Sequence, residues 1–171
     1  MHIRRAEIED AKGIARVHVD SWRTTYKNII PDEFLSSLSY EQRTDLWQRN
    51  ISKGNNFVFV AENTNGEIVG FADCGRRENN DVYNSGDLTS IYLLEEFQGQ
   101  GIGKRLMKQL FLQFQELDYE KVFVEVIEDN KTRSFYEYYG AKLLRSERIK
   151  IAGTELELLI YQWDNAKEVV I

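Results

Sequence analysis

Three glycines at alternate positions separate an apolar run from a stretch with helical periodicity: Gly99, Gly101 and Gly103. Glycine inside a helix costs roughly 1 kcal/mol relative to alanine, so a cluster at one junction needs a physical reason. A glycine-rich helix N-terminus leaves backbone N–H groups and the positive end of the helix dipole open to an anion such as phosphate. Basic residues follow in the first two turns, where the dipole favours acidic ones: Lys104, Arg105 and Lys108. The pattern predicts a phosphate-binding loop.

The order of residues in this loop differs from the two commonest phosphate motifs. A P-loop needs a glycine at Gln98 and Ser or Thr at Arg105, and a dinucleotide fingerprint that begins at the first glycine needs another at Lys104. The pattern that remains is Gln98-x-x-Gly101-x-Gly103. A loop that only lets the helix pack closely on a sheet is the alternative interpretation.

Two motifs together resemble the GNAT family of N-acetyltransferases. The glycine loop, preceded by a strand and followed by a helix, is similar to the family's acyl-CoA loop. Residues 130–141 are similar to its second signature, in which an asparagine and a small residue precede Phe-Tyr, a glycine and an apolar residue. The order of predicted elements resembles the family over nearly the whole chain. Glu95 and Glu96 replace the proline that relatives often carry, which predicts a local backbone difference without loss of function.

The resemblance implies that acetyl-CoA, or another acyl-CoA, is the acyl donor. It implies that the pyrophosphate lies over the glycine loop and that the pantetheine arm adds to the sheet like an extra strand. The strand at 91–93 must then splay from the strand at 122–127. Asn130 is implied to hydrogen-bond the pantetheine arm. The other implied contacts lie on the loop and the preceding strand: Ile91, Tyr92, Leu93, Gln98, Gly99, Gln100, Gly101, Gly103 and Lys104.

Acyl transfer from a thioester to an amine makes three demands on a site. The amine must lose a proton, since a free alkylamine has a pKa of about 10.4. The developing oxyanion needs a hydrogen-bond donor, and a splayed strand leaves a backbone N–H free near Tyr92 or Leu93. The departing thiolate benefits from a proton, and the resemblance implies that Tyr136 is the general acid. A tyrosine packed in the core is the alternative interpretation of Tyr136.

Two carboxylates are candidates for the general base. Asp87 opens the strand that leads to the loop, where a carboxylate serves in some members of the family; a residue of a strand-entry turn is the alternative. Glu125 on the neighbouring strand is the second candidate, acting through water. His18 lies among apolar residues of a predicted helix, which predicts a buried histidine with satisfied hydrogen bonds. Cys74 is interpreted as a small core residue.

The acceptor is expected to reach the thioester from the side opposite the acyl donor, where the resemblance places a variable segment. Trp22 and Tyr26 supply apolar surface there that could line an acceptor pocket. Asp32 and Glu33 could pair with a second cationic group. An amphipathic helix that packs its apolar stripe into the core is the alternative for Trp22. The sequence leaves open whether the acceptor is a polyamine, another small amine, an antibiotic or a peptide amine, and whether longer acyl-CoAs are accepted.

The elements that must position these groups follow from periodicity. Helical spacing predicts a first helix that ends before Pro31 and helices over 40–50, 102–116 and 131–139. Apolar runs predict strands near 3–5, 57–62, 68–74, 87–94, 121–127, 142–151 and 154–163. Asn65-Gly66 predicts a tight primed turn, in which positive φ occurs twice. The predicted fold is α/β (α+β): a mixed, mostly antiparallel sheet of about seven strands, with helices on both faces and one parallel βαβ unit.

Length and composition limit the classes of protein to which this chain could belong. The 171 residues predict one domain over 1–171, and a chain with 42% hydrophobic and 12% aromatic residues is not disordered. The net charge of −6 argues against a protein that tracks nucleic-acid phosphates. No run approaches the roughly 20 apolar residues of a membrane span, and the lone cysteine excludes a cysteine-based zinc site. We expect a cytoplasmic protein without a metal, and the resemblance is compatible with a homodimer.

These observations predict an N-acetyltransferase that moves an acetyl group from acetyl-CoA to a primary amine by direct attack. The alternative is a non-catalytic protein that binds or senses acyl-CoA through the same loop. The presence of Tyr136 and Asn130 favours the enzyme.

Overall fold

Seven strands form one mixed sheet in the computed structural model, which describes residues 1–78 and 82–171. In chain order they are β1 (His2–Arg5), β2 (Asn56–Glu62), β3 (Ile68–Arg76), β4 (Ser85–Leu93), β5 (Lys121–Ile127), β6 (Lys142–Ile151) and β7 (Thr154–Trp163). Across the sheet the order is β1-β2-β3-β4-β5-β7-β6. Each neighbouring pair is antiparallel except β4 and β5, which are parallel. The predicted mixed, mostly antiparallel sheet is confirmed.

Helices cover both faces of this sheet, as predicted. They are α1 (Ala11–Thr25), α2 (Asp32–Ser37), α3 (Tyr40–Ser52), α4 (Ile102–Glu116) and α5 (Arg133–Tyr138). Phe71 of β3 contacts Trp47 of α3, with ring centroids 4.8 Å apart, whereas Gly86 of β4 lies beneath Phe114 of α4. Gly86 pairs with Arg76, five residues from Phe71 along β3. Because side chains alternate along a strand, the two contacts lie on opposite faces.

Sequence periodicity does not predict α2, because its six residues form fewer than two turns. Pro31 ends the preceding segment, and its carbonyl accepts from the Leu35 N–H at 3.1 Å. Arg23 of α1 donates to the carbonyls of Leu35 and Leu38 at 3.1 and 3.2 Å. These bonds satisfy carbonyls that a helix end leaves free, and they fasten α2 to α1.

β4 and β5 pair over only part of their lengths. Parallel pairing joins Ser85–Leu88 to Lys121–Val124, and the rest of β4 has no partner on β5. At the same point Thr89 is a β-bulge, because consecutive residues of β3 pair with Leu88 and Ser90. A bulge bends its strand, so β4 turns away from β5 and a cleft opens between them. The predicted splay is confirmed.

The two hairpin turns differ in geometry. In the β2–β3 turn only Gly66 has a positive φ, of 80°, so the predicted primed turn at Asn65-Gly66 is wrong. Instead the side-chain oxygen of Asn63 accepts from the N–H groups of Asn65 and Glu67, both at 2.9 Å. This Asx turn uses asparagine's preference for bonding the backbone ahead of it. The β6–β7 turn at residues 152–153 has positive φ at both positions, which is the primed geometry.

Two apolar clusters hold the helices on the sheet. The larger lies between the sheet and the helices α1, α3 and α4. The smaller joins Tyr26, Ile30 and Leu35 to Ile127 and Leu156. It therefore fixes the end of α1 and α2 against the end of β5, beyond the point where β5 leaves β4. In the described part of the chain, none of the helices has both the length and the apolar content that crossing a membrane requires.

Candidate active site

A cavity of about 480 Å³ occupies the cleft that begins where β4 leaves β5. Eight residues that the sequence predicted line it: Ile91, Tyr92, Leu93, Gln98, Gly99, Gly101, Gly103 and Lys104. Five that the sequence did not assign to the site complete the wall: Thr25, Lys131, Thr132, Phe135 and Tyr139. Four of these five belong to the second motif at 130–141. The short helix predicted there is the signal that could have identified them, because one helical face must border the cleft.

The glycine loop carries a row of unpaired N–H groups. No backbone carbonyl of a described residue accepts from the N–H groups of residues 99–104. Gly99 and Gly101 have φ of 71° and 76°, a region that favours glycine, and a Cβ on either would point into open space. A Cβ on Gly103 would lie 3.7 Å from Phe135, an ordinary contact. Close packing therefore requires none of the three glycines, whereas a pyrophosphate would use the row of N–H groups.

The loop carries less free positive charge than the sequence predicted. Lys104 lines the cavity, but both terminal nitrogens of Arg105 donate to the Met1 carbonyl at 3.3 Å. Lys108 lines a separate cleft beside residues 169–171. The expectation that all three cations serve the anion is corrected, because successive helix positions point in different directions around the axis. Lys131, on the opposite wall, supplies the second cation of the cavity.

Two backbone N–H groups of β4 face the cleft. The Leu94 N–H donates to the Val69 carbonyl on β3 at 3.0 Å. Bonding alternates along an antiparallel ladder, so Tyr92 bonds to β3 while Ile91 and Leu93 turn their N–H groups away from it. The Tyr92 N–H is therefore used within the sheet, which leaves the N–H groups of Leu93 and Ile91 directed to the cleft, and an oxyanion donor at this edge stays a prediction.

The two loop glutamines bond backbone carbonyls through their side chains. Gln98 Nε2 donates to the Leu93 carbonyl at 3.3 Å, and Ser21 Oγ donates to the same oxygen at 3.1 Å. Gln100 Nε2 donates to the Glu96 carbonyl at 2.9 Å. Gln98 thus ties the loop to the edge of β4. The side chain of Gln100 turns back along the chain, which leaves only its backbone N–H for the predicted contact with the acyl donor.

Asn130 is buried, and its amide bonds other parts of the protein. Nδ2 donates to the Tyr26 hydroxyl at 3.2 Å, and Oδ1 accepts from the Thr132 N–H at 2.9 Å. These bonds fix the turn before α5 and join it to the end of α1. Asn130 is not among the residues that line the cavity, so its bond to the pantetheine arm stays a prediction.

Tyr136 lies in a buried cluster of aromatic rings. Its side chain is 5% exposed, and it meets Phe135 and Trp163 edge-on at centroid distances of 6.0 and 6.2 Å. Burial, aided by the nearby Tyr26, raises the pKa of Tyr136 above its usual value, so the phenol keeps its proton at neutral pH. Its hydroxyl forms no hydrogen bond with another residue in 1–78 or 82–171. Phe135 lines the cavity while Tyr136 is set behind the wall, and its role as the acid stays a prediction.

Arg77 holds the two candidate bases together. Its Nη1 donates to Asp87 Oδ1 at 2.6 Å and its Nη2 to Glu125 Oε1 at 3.0 Å. The Arg77 side chain is 6% exposed, whereas those of Asp87 and Glu125 are 33% and 47% exposed. Desolvation raises the pKa of Asp87 above its usual value, and Arg77 opposes that rise. Asp87 pairs with Phe123, two residues before Glu125, so both carboxylates lie on one face of the sheet.

Sequence reasoning missed Arg77. Arg76 and Arg77 are adjacent at the end of β3, and composition gives no reason to choose between them. Only the register of β3 against β4, in which Arg76 pairs with Gly86, decides which arginine faces the carboxylates. The guanidinium of Arg77 also lies 4.7 Å from the centre of the Phe123 ring, which helps to hold it in place.

Cys74 is a core residue, as predicted, whereas His18 is half-buried, with a hydrogen-bond partner at Nδ1. Trp47 Nε1 donates to His18 Nδ1 at 3.1 Å, and the imidazole stacks on Tyr92. Burial lowers the pKa of His18 to about 4, so the ring is neutral at physiological pH. Cys74 is fully buried, and burial raises the pKa of its thiol, which disfavours the reactive thiolate.

The two predicted acceptor residues pack against the smaller apolar cluster. Tyr26 is 5% exposed, and its ring lies 4.7 Å from that of Trp22. Trp22 is half-buried. The structure therefore corrects the placement of Tyr26 from a pocket wall to the core, because its helical stripe meets the end of β5. Contact of the acceptor with Trp22 stays a prediction. Asp32 and Glu33 are exposed at the start of α2.

Known proteins share both the sequence pattern and the fold. The model of the acetyltransferase (GNAT) family matches residues 19–141. A Bacillus subtilis (strain 168) protein, named as the uncharacterized N-acetyltransferase YuaI, is 40% identical over 161 residues, which cover 94% of this chain and 91% of the relative. PaiA N-acetyltransferase from Thermoplasma acidophilum, solved in complex with coenzyme A, superposes with a TM-score of 0.75 at 21% identity, covering 95% and 98% of the two chains. Ribosomal-protein-alanine N-acetyltransferase from Brucella melitensis gives 0.77 at 23% identity, covering 96% and 99%.

Proposed function

This chain belongs to the acetyltransferase (GNAT) family and is an acyl-CoA-dependent N-acetyltransferase, and from that premise we propose that it transfers the acetyl group of acetyl-CoA to a primary amine of a small molecule or peptide. One observation carries the proposal. A single cavity reaches from the unpaired N–H groups of residues 99–104 to the free edge of β4 at Ile91 and Leu93. The first group suits a pyrophosphate and the second suits an amide-containing arm that adds to a sheet edge. The similar fold from Thermoplasma acidophilum was solved with coenzyme A.

Backbone groups of the chain would form most of the hydrogen bonds that hold the acyl donor. The N–H groups of residues 99–104 would bind the pyrophosphate, and Lys104 and Lys131 would place positive charge on either side of it. Ile91 and Leu93 would bond the amides of the pantetheine arm. When bound, acetyl-CoA supplies the acetyl group as an activated thioester.

Two groups of the chain would assist the transfer itself. The N–H of Ile91 or Leu93 would donate to the thioester oxygen as negative charge develops there. Tyr136 would give its proton to the sulfur as the C–S bond breaks. The amine forms its C–N bond in the same direct attack, so no acyl-enzyme is required.

We assign the removal of the amine proton to the carboxylates held by Arg77. Asp87 is the first candidate, since its raised pKa makes its carboxylate a stronger base than that of an ordinary aspartate. Glu125 accepts a hydrogen bond from the same guanidinium and lies on the same face of the sheet. It is the second candidate, acting through water. Arg77 would keep both carboxylates pointing to the same side of β4 and β5.

Release of the CoA thiol in the presence of amines tests the proposed function. We expect acetyl-CoA to raise the melting temperature, because it binds only the folded protein. We also expect at least one member of a panel of alkyl monoamines, diamines, aromatic amines and peptides to release thiol and to gain an acetyl group by mass spectrometry. Stabilisation by acetyl-CoA without turnover across the panel would support the non-catalytic, acyl-CoA-sensing alternative instead.

Replacing Asp87 with asparagine is expected to lower kcat/KM by about 10²-fold at neutral pH. The deficit should grow as the pH falls from about 9 to about 6, because the variant depends on the scarce unprotonated amine while the wild-type carboxylate still accepts its proton. The measurement is kcat/KM against pH, with Glu125→Gln as the matched change at the other carboxylate. A profile for Asp87→Asn equal to that of the wild type would move the assignment to Glu125.

A further inference from the structure

A second cavity, of about 390 Å³, lies on β3 and the first half of β4, beside the bulge. Its wall is polar and includes Asp73, Asp87 and Thr89, together with Asn56 from the start of β2. The proposed mechanism uses only Asp87 among these residues. The other polar groups therefore need a separate explanation.

Asp73 is a buried carboxylate with one oxygen that lacks a partner. Asp73 is 3% exposed, and its Oδ1 atom has no hydrogen bond within the described residues. Burial raises the pKa of Asp73 to about 6, although hydrogen bonds with Ser90 and Asn56 oppose the rise. A buried acceptor without a partner costs stability, and more so when it is charged. A residue that lines a cavity and carries this cost is suited to a ligand that supplies the missing donor.

The charges around the cavity indicate which ligand would supply it. Its acidic members are Asp73, Asp87 and Glu78. Its basic members, Lys53 and Arg76, are exposed, and Arg76 is three residues from Asp73 along β3, so its side chain points to the other face. The cavity wall thus presents the buried carboxylate of Asp73 beside the Asn56 amide, whereas the half-buried carboxylate of Asp87 is already paired with Arg77. An ammonium group, which only donates hydrogen bonds and carries positive charge, fits this surface better than an anion.

The cavity also lies on the correct side of the sheet for the acceptor. Asp87 pairs with Gly75, two residues from Asp73, so the two carboxylates share a face. Thr89, in the cavity wall, precedes Ile91 by two residues, which is about 7 Å along a strand. Asp73 itself pairs with Ser90, the residue before Ile91, so a short alkyl chain could extend from a cation at Asp73 toward the Ile91 N–H.

We propose that Asp73 binds a second, protonated nitrogen of the acceptor, so that the preferred acceptors are alkyl diamines and longer polyamines. This inference rests on the proposed function for the reaction of the first nitrogen. The second nitrogen donates to the Asp73 carboxylate as an ammonium group, while the first loses its proton to the Asp87 and Glu125 pair and attacks the thioester. Asp73 is a specificity residue in this scheme and takes no part in bond making.

A comparison of matched amines with Asp73→Asn tests the inference. We expect wild-type kcat/KM for 1,4-diaminobutane to exceed that for 1-aminobutane at least about tenfold, and Asp73→Asn to remove this preference while changing the monoamine less than about twofold. Calorimetry with CoA present, which permits no turnover, should show the same loss of 1,4-diaminobutane affinity. Asp164→Asn, which removes one carboxylate from an exposed ion pair with Lys142, is the control and should keep the preference. Asp73→Asn should unfold at the same or a higher temperature, since it removes an unpaired buried carboxylate.

The outcomes separate this inference from the function on which it rests. Turnover of monoamines and diamines at equal efficiency, or a diamine preference that survives in Asp73→Asn, would overturn the role of Asp73 and leave the transferase intact. Failure of acetyl-CoA to bind would overturn the proposed function, and Asp73-dependent binding of 1,4-diaminobutane would still be measurable by calorimetry. If the wild type also fails to bind 1,4-diaminobutane, that result overturns the role of Asp73 independently of the proposed function.

Discussion

Replacing Gly101 with aspartate is expected to remove nearly all of the thermal stabilisation that acetyl-CoA gives the wild-type protein. Ligand at a hundredfold excess over its Kd stabilises a fold by about 2.7 kcal/mol. Gly101→Asp would place a side chain in the open space where the pyrophosphate is proposed to lie, and its negative charge would oppose the phosphates. The φ of 76° adds strain for any residue other than glycine. The measurement is the melting temperature with and without acetyl-CoA.

The strain and the charge of this variant can be separated from its effect on the ligand. Gly66→Asp is a matched control, because Gly66 also has a positive φ, of 80°, and open space around its Cβ, but it lies in the β2–β3 turn. Both variants should lose some intrinsic stability, whereas only Gly101→Asp should lose the shift due to acetyl-CoA. An undiminished shift in Gly101→Asp would show that the acyl donor does not bind at this loop.

Tyr136→Phe is expected to lower kcat by about 10²- to 10⁴-fold, the usual value of a general acid, while the Kd of acetyl-CoA stays close to that of the wild type. The substitution removes only a hydroxyl that bonds no other described residue, so the ring contacts with Phe135 and Trp163 should persist. Because burial raises the pKa of Tyr136, the wild type should not lose this acid until strongly alkaline pH. Single-turnover rates, together with acetyl-CoA binding by calorimetry, measure the two parts of the prediction.

Tyr138→Phe is the matched control for the loss of a phenolic hydroxyl. Tyr138 lies on the same short helix, but it is 81% exposed, so its variant should keep wild-type kcat. Full single-turnover activity in Tyr136→Phe would assign Tyr136 to core packing and would leave the thiolate without an acid from this chain.

The sequence predicted best the elements whose periodicity is long and whose ends carry turn signals. The bounds of α4, β5, β6 and β7 agree with the predicted ranges, because each has a continuous pattern that ends at glycine or polar residues. α2 was missed because six residues are too few to show a period. The turn at Gly66 was predicted with the wrong geometry, because Asn63, three residues earlier, bonds the backbone and competes with the primed turn.

In the candidate site, too, the residues that were predicted correctly are those whose signal is local in the sequence. The glycine loop and the edge of β4 are local in sequence, so motif and strand order were enough to place them. Arg77 depends on pairing between β3, β4 and β5, which single-sequence periodicity does not give. Tyr26 was misplaced for a related reason, since an aromatic residue on a helical stripe has the same pattern whether it faces a pocket or a core. Arg105 was misplaced because its partner, the Met1 carbonyl, is 104 positions away in the chain.

The hydrogen bond between Asn130 and Tyr26 provides a direct route for coupling between the two substrates. It joins the turn before α5, which borders the cavity proposed for acetyl-CoA, to the end of α1, which packs with α2 on the side predicted for the acceptor. If binding of the first substrate orders this shared bond, the second substrate no longer bears that entropic cost. Linkage then requires that each substrate tighten the other by the same factor. One buried amide would thus make binding of the two substrates cooperative, whichever of them binds first.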